Sequence, residues 1–213
     1  MKNLCIFAFI MRLFTTPYLV RIFYPSLLWK MPEGEKKIYL TFDDGPHPTI
    51  TPQVLELLKK FNAKATFFCV GNNVKKYKDT FKIIVDEGHS VGNHTYNHEK
   101  GWNTKTRDYI TSVDKADELI KSPLMRPPHG RIKTSQIRVL KKHYKLVAWS
   151  VIAYDWDKSL SPEECYKNVI RRTKDGSIIV LHDSEKAEKN MIPVLEKLLE
   201  YYHNRGFTFE KLQ

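Results

Sequence analysis

From residue 37 onward, short apolar runs alternate with segments whose apolar positions recur every three to four residues. Residues 38–42 (IYLTF) form one such run and stop at the turn sequence Asp43-Asp44-Gly45-Pro46, the pattern of a buried strand entering a loop. Thr51 and Pro52, followed by Val54, Leu55, Leu57 and Leu58, give a helix start with an apolar stripe. The same reading predicts strands over 65–70, 90–92, 124–126, 145–150, 177–181 and 207–209. It predicts helices over 74–86, 106–120, 135–143, 162–173 and 187–203, with Gly71, Gly88 and Gly206 as punctuation.

Strand and helix in alternation argue for βαβ units and a mainly parallel sheet, about seven units in all. No Pro/Gly/Ser-rich linker, repeat or low-complexity tract interrupts them, so the expected fold is a single α/β domain, a distorted (β/α)7-8 barrel. Chemistry in such a barrel belongs at the C-terminal ends of the strands. Asp43, Asp44, His94, His98, Arg126, Asp155, His182 and Asp183 all follow predicted strands, so five separate segments would converge on one mouth.

The first 36 residues stand apart from this pattern, dividing the chain into an apolar N-terminal segment (1–36) and a catalytic domain (37–213). Lys2 followed by apolar residues 4–11 resembles the start of a signal peptide, but Arg12 interrupts it and no small-x-small cleavage site follows. Residues 13–29 are again apolar, yet Pro17, Arg21 and Pro25 break them too often for a spanning helix of ~20 residues. Three readings stay open: a secretion or anchor segment, an amphipathic piece lying on a membrane, and a stretch packed on the catalytic domain. The last is preferred, and translation from Met11 would leave only the last two. The compartment stays open between cell envelope and cytoplasm.

Composition narrows the partners. Of 213 residues, 42% are hydrophobic, enough for a substantial core, and 28% are charged, which excludes a disordered chain. The net charge of +11 suits an anionic partner such as an acidic glycan or a phospholipid surface, or is simply a solvated face. The lysines are scattered (Lys36, Lys59, Lys75, Lys141, Lys174) with no nucleic-acid-binding motif among them, so no nucleic-acid partner is expected. Cys5, Cys69 and Cys165 form no Cys-x-x-Cys pair, which argues against a disulfide framework or a thiolate zinc site. Cys69 reads as a small core residue.

Four stretches carry candidate chemistry. Asp43 and Asp44 are adjacent carboxylates that make a good turn; as a site, one would bind a cation while the other accepts a proton, with a metal or arginine offsetting their repulsion. His94 and His98 are spaced i, i+4, which on a helical turn puts both imidazoles on one face within reach of one metal. With an aspartate they supply three N/O ligands and leave positions open for water and substrate, a donor set suited to Zn2+ and also to Co2+, Ni2+ or Mn2+. His182 ends a buried strand beside Asp183, which favours a titrating role over a core histidine. Arg126, stiffened by Pro127 and Pro128, is placed to hold a carboxylate. Tyr154-Asp155-Trp156 joins a carboxylate to aromatic faces that would stack on sugar rings or pack in the core.

Together these stretches resemble the polysaccharide deacetylases with a NodB-homology domain, carbohydrate esterase family 4. The five motifs of that family are met in order by Thr41–Gly45, His94–His98, Arg126-Pro127-Pro128-His129-Gly130, Asp155-Trp156 and Ile179–Asp183. The resemblance implies a distorted barrel, a divalent metal, and removal of N-acetyl groups from amino sugars of a peptidoglycan- or chitin-like polysaccharide. It implies Asp44, His94 and His98 as metal ligands and Asp43 as general base, oriented by Arg126. His182 would be the general acid, tuned by Asp155, and the backbone N–H of His129 would stabilise the oxyanion. Pro128, His129, Trp156 and Leu181 are the implied substrate contacts, the partner is an N-acetylated polysaccharide or oligosaccharide, and the chain is expected to act as a monomer. Two positions depart from the pattern: His129 replaces the usual aromatic residue, and Ile152 stands where a further aspartate is frequent. The alternatives are O-acetyl ester or other C–N hydrolysis on a glycan, and a glycan-binding module without chemistry; the latter would have lost one of Asp43, Asp44, His94, His98 or His182, and none is missing.

Overall fold

A computed structural model describes residues 14–213; the signal-like stretch 1–13, with Cys5 and the Met11 start, lies outside the described residues. The strands are β1 (Leu27–Leu28), β2 (Lys37–Asp43), β3 (Ala65–Cys69), β4 (Ser90–Asn93), β5 (Leu124–Met125), β6 (Lys145–Val147), β7 (Val151–Ile152), β8 (Ile178–His182) and β9 (Thr208–Phe209). The helices are α1 (Tyr18–Phe23), α2 (Ile50–Lys60), α3 (Gly71–Lys76), α4 (Lys78–Asp86), α5 (Thr106–Ile120), α6 (Thr134–Leu140), α7 (Pro162–Ile170) and α8 (Glu188–His203).

All strand ladders are parallel, in the order β1-β6-β5-β4-β3-β2-β8-β7 with β9 beside β2. Alternation along β2 explains the layering: Ile38, Leu40 and Phe42 pack outward in the main core with Val54, Leu58 and Leu195 of α2 and α8, while Tyr39 meets Phe68, Leu124 and Val147 inside the barrel. Burial on both faces is why the strand reads as a continuous apolar run. Only residues 148–150 separate β6 from β7, yet β6 pairs with β5 and β7 with β8. This bent run joins the two ends of the sheet into the expected distorted barrel. The predicted strand over 145–150 therefore stops at Val147, because the chain there changes partners: Ala148 N–H donates to Leu28 O (2.8 Å) and Ser150 N–H to Ile178 O (3.1 Å).

The predicted helix over 74–86 is two helices, α3 and α4, parted at Tyr77 (φ −120°, ψ 53°). Residues 14–28 lie along the β6–β7 seam, and residues 30–36 run beside residues 175–177 ahead of β8. Phe14 is buried, Thr15 bridges Val151 in antiparallel fashion, and Leu27 and Leu28 pair with Leu146 and Val147. Among the described residues, no helix is long and apolar enough to cross a membrane. Cys69 and Cys165 are free and buried.

Candidate active site

Strand register places the site. Asp43 ends β2 directly opposite His182, the last residue of β8, so the two side chains rise on the same side of the sheet. Asn93 ends β4 opposite Met125 of β5, which puts His94 and Arg126 side by side one residue further on. Arg126 N–H donates to Asn93 O (2.9 Å) and His94 Nδ1–H to Arg126 O (2.8 Å). Because the acceptor is a carbonyl, Nδ1 carries the proton and Nε2 keeps its lone pair for a ligand. Burial pushes His94 down to about 4, so the ring is neutral, as ligation requires.

His98 Nε2 lies 3.0 Å from Asp44 Oδ1, and His94 Nε2 lies 3.8 Å from the same oxygen. One ligand atom from each of the three residues falls within 4.8 Å of the others, a donor set that fits one divalent cation. Burial alone would raise Asp44, but the hydrogen bond from His98 and the nearby imidazoles of His182 and His94 hold it well below the usual carboxylate range. The i, i+4 argument fails in its geometry: residues 94–98 form a loop, not a helical turn, with left-handed backbone at Thr95 (φ 63°) and His98 (φ 61°). Side chains hold that loop, Thr95 N–H donating to Asn93 Oδ1 (2.9 Å) and Tyr96 N–H to Ser112 Oγ (2.9 Å).

Asp44 is itself left-handed (φ 79°), and the turn after it is tied to β8. Gly45 N–H donates to Asp183 Oδ1 (3.1 Å) and Thr51 Oγ–H to Asp183 Oδ2 (2.5 Å). A Cβ at Gly45 would collide with the Asp183 carboxylate, which accounts for the glycine. Burial pushes Asp183 up to about 7.

The flanking groups form two buried pairs. Arg126, fully buried, donates through Nη1 to Asp43 Oδ1 (2.7 Å) and Thr41 Oγ1 (2.7 Å), and through Nη2 to Ala148 O (2.9 Å). Its guanidinium lies over the Phe68 ring at 4.1 Å. Across the mouth, His182 Nδ1–H donates to Asp155 Oδ1 (2.9 Å), while the His182 backbone N–H donates to Asp155 Oδ2 (2.7 Å). Burial opposes the imidazolium, but Asp155, assisted by Asp44 and Asp43, pushes His182 up to about 9.

Asp43, Asp44, His94, His98 and His182 line a groove of about 500 Å³ walled by Trp102, Trp149, Tyr154 and Trp156, with Ile152 on the wall and the cations Arg131 and Lys186 at the rim; Arg126 and Asp155 lie buried behind it. His129 and Trp156 line it; the His129 ring lies 4.6 Å from His98 and Trp156 packs edge-on against His182. Pro128 and Leu181 are buried and not part of this lining. Strand alternation explains Leu181: its neighbours Val180 and His182 face the groove, while Leu181 joins the outer core. Gly130 (φ 64°) lets the backbone pass Trp149, whose ring a Cβ would meet at 2.7 Å. Sequence reasoning missed Lys186, whose Nζ lies 2.9 Å from Asp44 Oδ2, and the walls Trp102 and Trp149. None of these sits in a motif, and only the folded barrel brings them to the mouth.

A (β/α) barrel whose mouth sets an Asp-His-His cluster between an arginine-held carboxylate and an imidazolium is the frame of a hydrolase. The sequence model of the family described as Polysaccharide deacetylase matches residues 30–146. The chain is 35% identical over 189 residues to a peptidoglycan-N-acetylglucosamine deacetylase of Bacillus cereus, covering 85% of this chain and 88% of that one. It is 33% identical over 193 residues to the peptidoglycan-N-acetylmuramic acid deacetylase PdaA of Bacillus subtilis, covering 84% and 70%. The crystal structure of the Bc1960 peptidoglycan N-acetylglucosamine deacetylase, in complex with 4-naphthalen-1-yl-N-oxidanyl-benzamide, matches with a TM-score of 0.85 at 30% identity, covering 92% of this chain and 95% of that one. The chain belongs to the polysaccharide deacetylase family, carbohydrate esterase family 4.

Proposed function

We propose that residues 37–213, with 14–36 packed along their wall, hydrolyse N-acetyl groups from amino sugars of a peptidoglycan- or chitin-like polysaccharide, using a divalent cation held by Asp44, His94 and His98. The observation that carries this reading is a single groove holding the three-ligand cluster between the Asp43–Arg126 pair and the His182–Asp155 pair. A divalent cation there, with Zn2+ favoured by the donor set and Co2+, Ni2+ or Mn2+ as alternatives, would supply Lewis-acid chemistry, making water more acidic and the acetyl carbonyl more electrophilic.

The chain's own groups do the rest. Arg126 occupies Oδ1 of Asp43, and the free Oδ2 lies 4.0 Å from His94 Nε2, turned toward the ligand cluster. That oxygen takes the proton of the attacking water. His182, pushed up to about 9, is protonated at neutral pH and gives its Nε2 proton to the departing amine. The backbone N–H of His129 is the proposed oxyanion donor, an interaction worth about 10²–10³ in rate. Trp102, Trp149 and Trp156 offer faces on which sugar rings stack. The relatives that this chain resembles, deacetylases of N-acetylglucosamine and N-acetylmuramic acid in peptidoglycan, support a wall-polymer substrate.

Acetate release tests the reading on peptidoglycan, chitin oligomers and acetylated xylan, each with the metal-loaded protein. Release from the N-acetylated glycans is expected. Release from the xylan ester alone would reassign the enzyme to O-acetyl hydrolysis.

A further inference from the structure

The groove that holds the ligand cluster also carries an arginine with no acidic partner. Two carboxylates line the groove, and both are engaged: Asp43 Oδ1 accepts from Arg126 Nη1 (2.7 Å) and Asp44 belongs to the Asp-His-His cluster. Of the two cations at the rim, Lys186 already meets Asp44 Oδ2 (2.9 Å). Arg131 is exposed, and among the described residues its guanidinium makes neither an ion pair nor a hydrogen bond. It lies over the Trp102 ring, 5.6 Å from the centroid, with its fork of N–H donors open.

The surroundings of this pair are fixed. Trp102 is 47% exposed, yet its Nε1–H donates to Ile132 O (3.1 Å). Gly101 packs so close to Arg131 O that a Cβ would meet it at 2.4 Å. Gln136 ties the same two segments, accepting from Lys133 N–H (2.9 Å) and donating to Gly101 O (3.0 Å). An exposed indole face beside an unpaired guanidinium offers a stacking surface for a sugar ring and a fork for a carboxylate. Position brings this wall to the reacting centre, because Arg131 follows His129 by two residues and the His129 ring lies 4.6 Å from His98. The two amino sugars considered above differ at this point: N-acetylmuramic acid carries a carboxylate and N-acetylglucosamine carries none.

We propose that Trp102 and Arg131 form a specificity subsite for a carboxylate-bearing sugar, Arg131 taking the carboxylate, so that the groove prefers a muramic-acid-type glycan to a neutral chitin-type one. The inference rests on the glycan reading above for its substrate class, but binding tests it without turnover. Isothermal titration uses the zinc-loaded Asp43→Asn protein, in which turnover is suppressed. Its ligands are a chitin tetramer, a peptide-free oligomer of alternating N-acetylglucosamine and N-acetylmuramic acid, and the latter with its carboxyl groups reduced to alcohols. The charged oligomer should bind about five- to tenfold more tightly than either neutral one, an advantage that shrinks in high salt. Adding Arg131→Gln should remove the advantage, and Arg131→Lys should keep part of it, having the charge without the fork. Thermal unfolding of both should match the parent, since the side chain is exposed. Equal affinity for the charged and reduced oligomers would overturn the proposal, as would an advantage that survives Arg131→Gln or no binding of any oligomer. Acetate release by the protein with Asp43 intact is read separately: charge-selective binding without release would sink the deacetylase reading and leave the subsite standing.

Discussion

Asp155→Asn removes a charge at the acid side of the mouth with almost no change of shape. In the native site both carboxylate oxygens are used, one by His182 Nδ1 (2.9 Å) and one by the His182 backbone N–H (2.7 Å). An asparagine can accept from the backbone N–H through Oδ1, but its NH2 then faces Nδ1 and can bond it only when that nitrogen carries no proton, which disfavours the imidazolium. The rise of His182 from 6.5 to about 9 corresponds to about 3 kcal/mol in favour of the imidazolium, against a burial cost that alone would lower it. Asp155 is the foremost of the groups that raise it, and a cation held by Asp44 would offset much of the remaining support from Asp44 and Asp43. Without Asp155, burial wins and His182 falls to 6.5 or below. At pH 8 the protonated fraction then drops from about nine-tenths to about one-thirtieth or less. A general acid needs that proton, so activity is present below the His182 pKa and lost as pH rises through it. The assay is the pH dependence of kcat/KM for acetate release from a chitin oligomer by parent and variant. The alkaline limb should move down by more than one pH unit, with a loss of about 30-fold or more at pH 8. An alkaline limb that stays in place would refute the assignment of His182 as the acid supported by Asp155.

Other substitutions separate the remaining roles. Asp44→Ala, His94→Ala or His98→Ala should lose bound metal and acetate release together, read by elemental analysis after dialysis. Asp43→Asn should keep the metal and lose about 10²–10⁴ in kcat; wild-type turnover would remove Asp43 from the base role. Arg126→Met leaves the Asp43 carboxylate buried and unpaired, so chemical denaturation should register a loss of about 3–5 kcal/mol, part of it recovered by adding Asp43→Asn. Lys186→Met removes a positive charge 2.9 Å from Asp44 Oδ2 and should tighten zinc binding in a chelator competition. Weaker binding would instead make Lys186 a residue that holds Asp44 in place.

The barrel was legible because β2, β3 and β8 are buried on both faces and therefore stand out as unbroken apolar runs. Asp43, Asp44 and His182 were legible for a related reason: they sit at the ends of such runs, where the strands open into the mouth. The two-residue strand β7 left no pattern of its own, since a bend after β6 and a change of hydrogen-bond partner define it. The loop bearing His94 and His98 was misjudged because an i, i+4 spacing suits a helix, whereas Asn93 and Ser112 side chains hold these residues in an extended and left-handed path. Lys186, Trp102 and Trp149 carry no local signal; they reach the groove from three separate segments. Asp183 was visible as the neighbour of His182, but its bonds to Gly45 and Thr51 belong to the β2–β8 pairing, which only the fold supplies.

Titration of chelator-stripped protein with Zn2+, followed by acetate release from an N-acetylglucosamine oligomer, tests the central claim most directly. The Asp44–His94–His98 cluster predicts no release from the stripped protein and a rise that ends near one equivalent of metal. Full activity without metal, or no release at any loading, would contradict it.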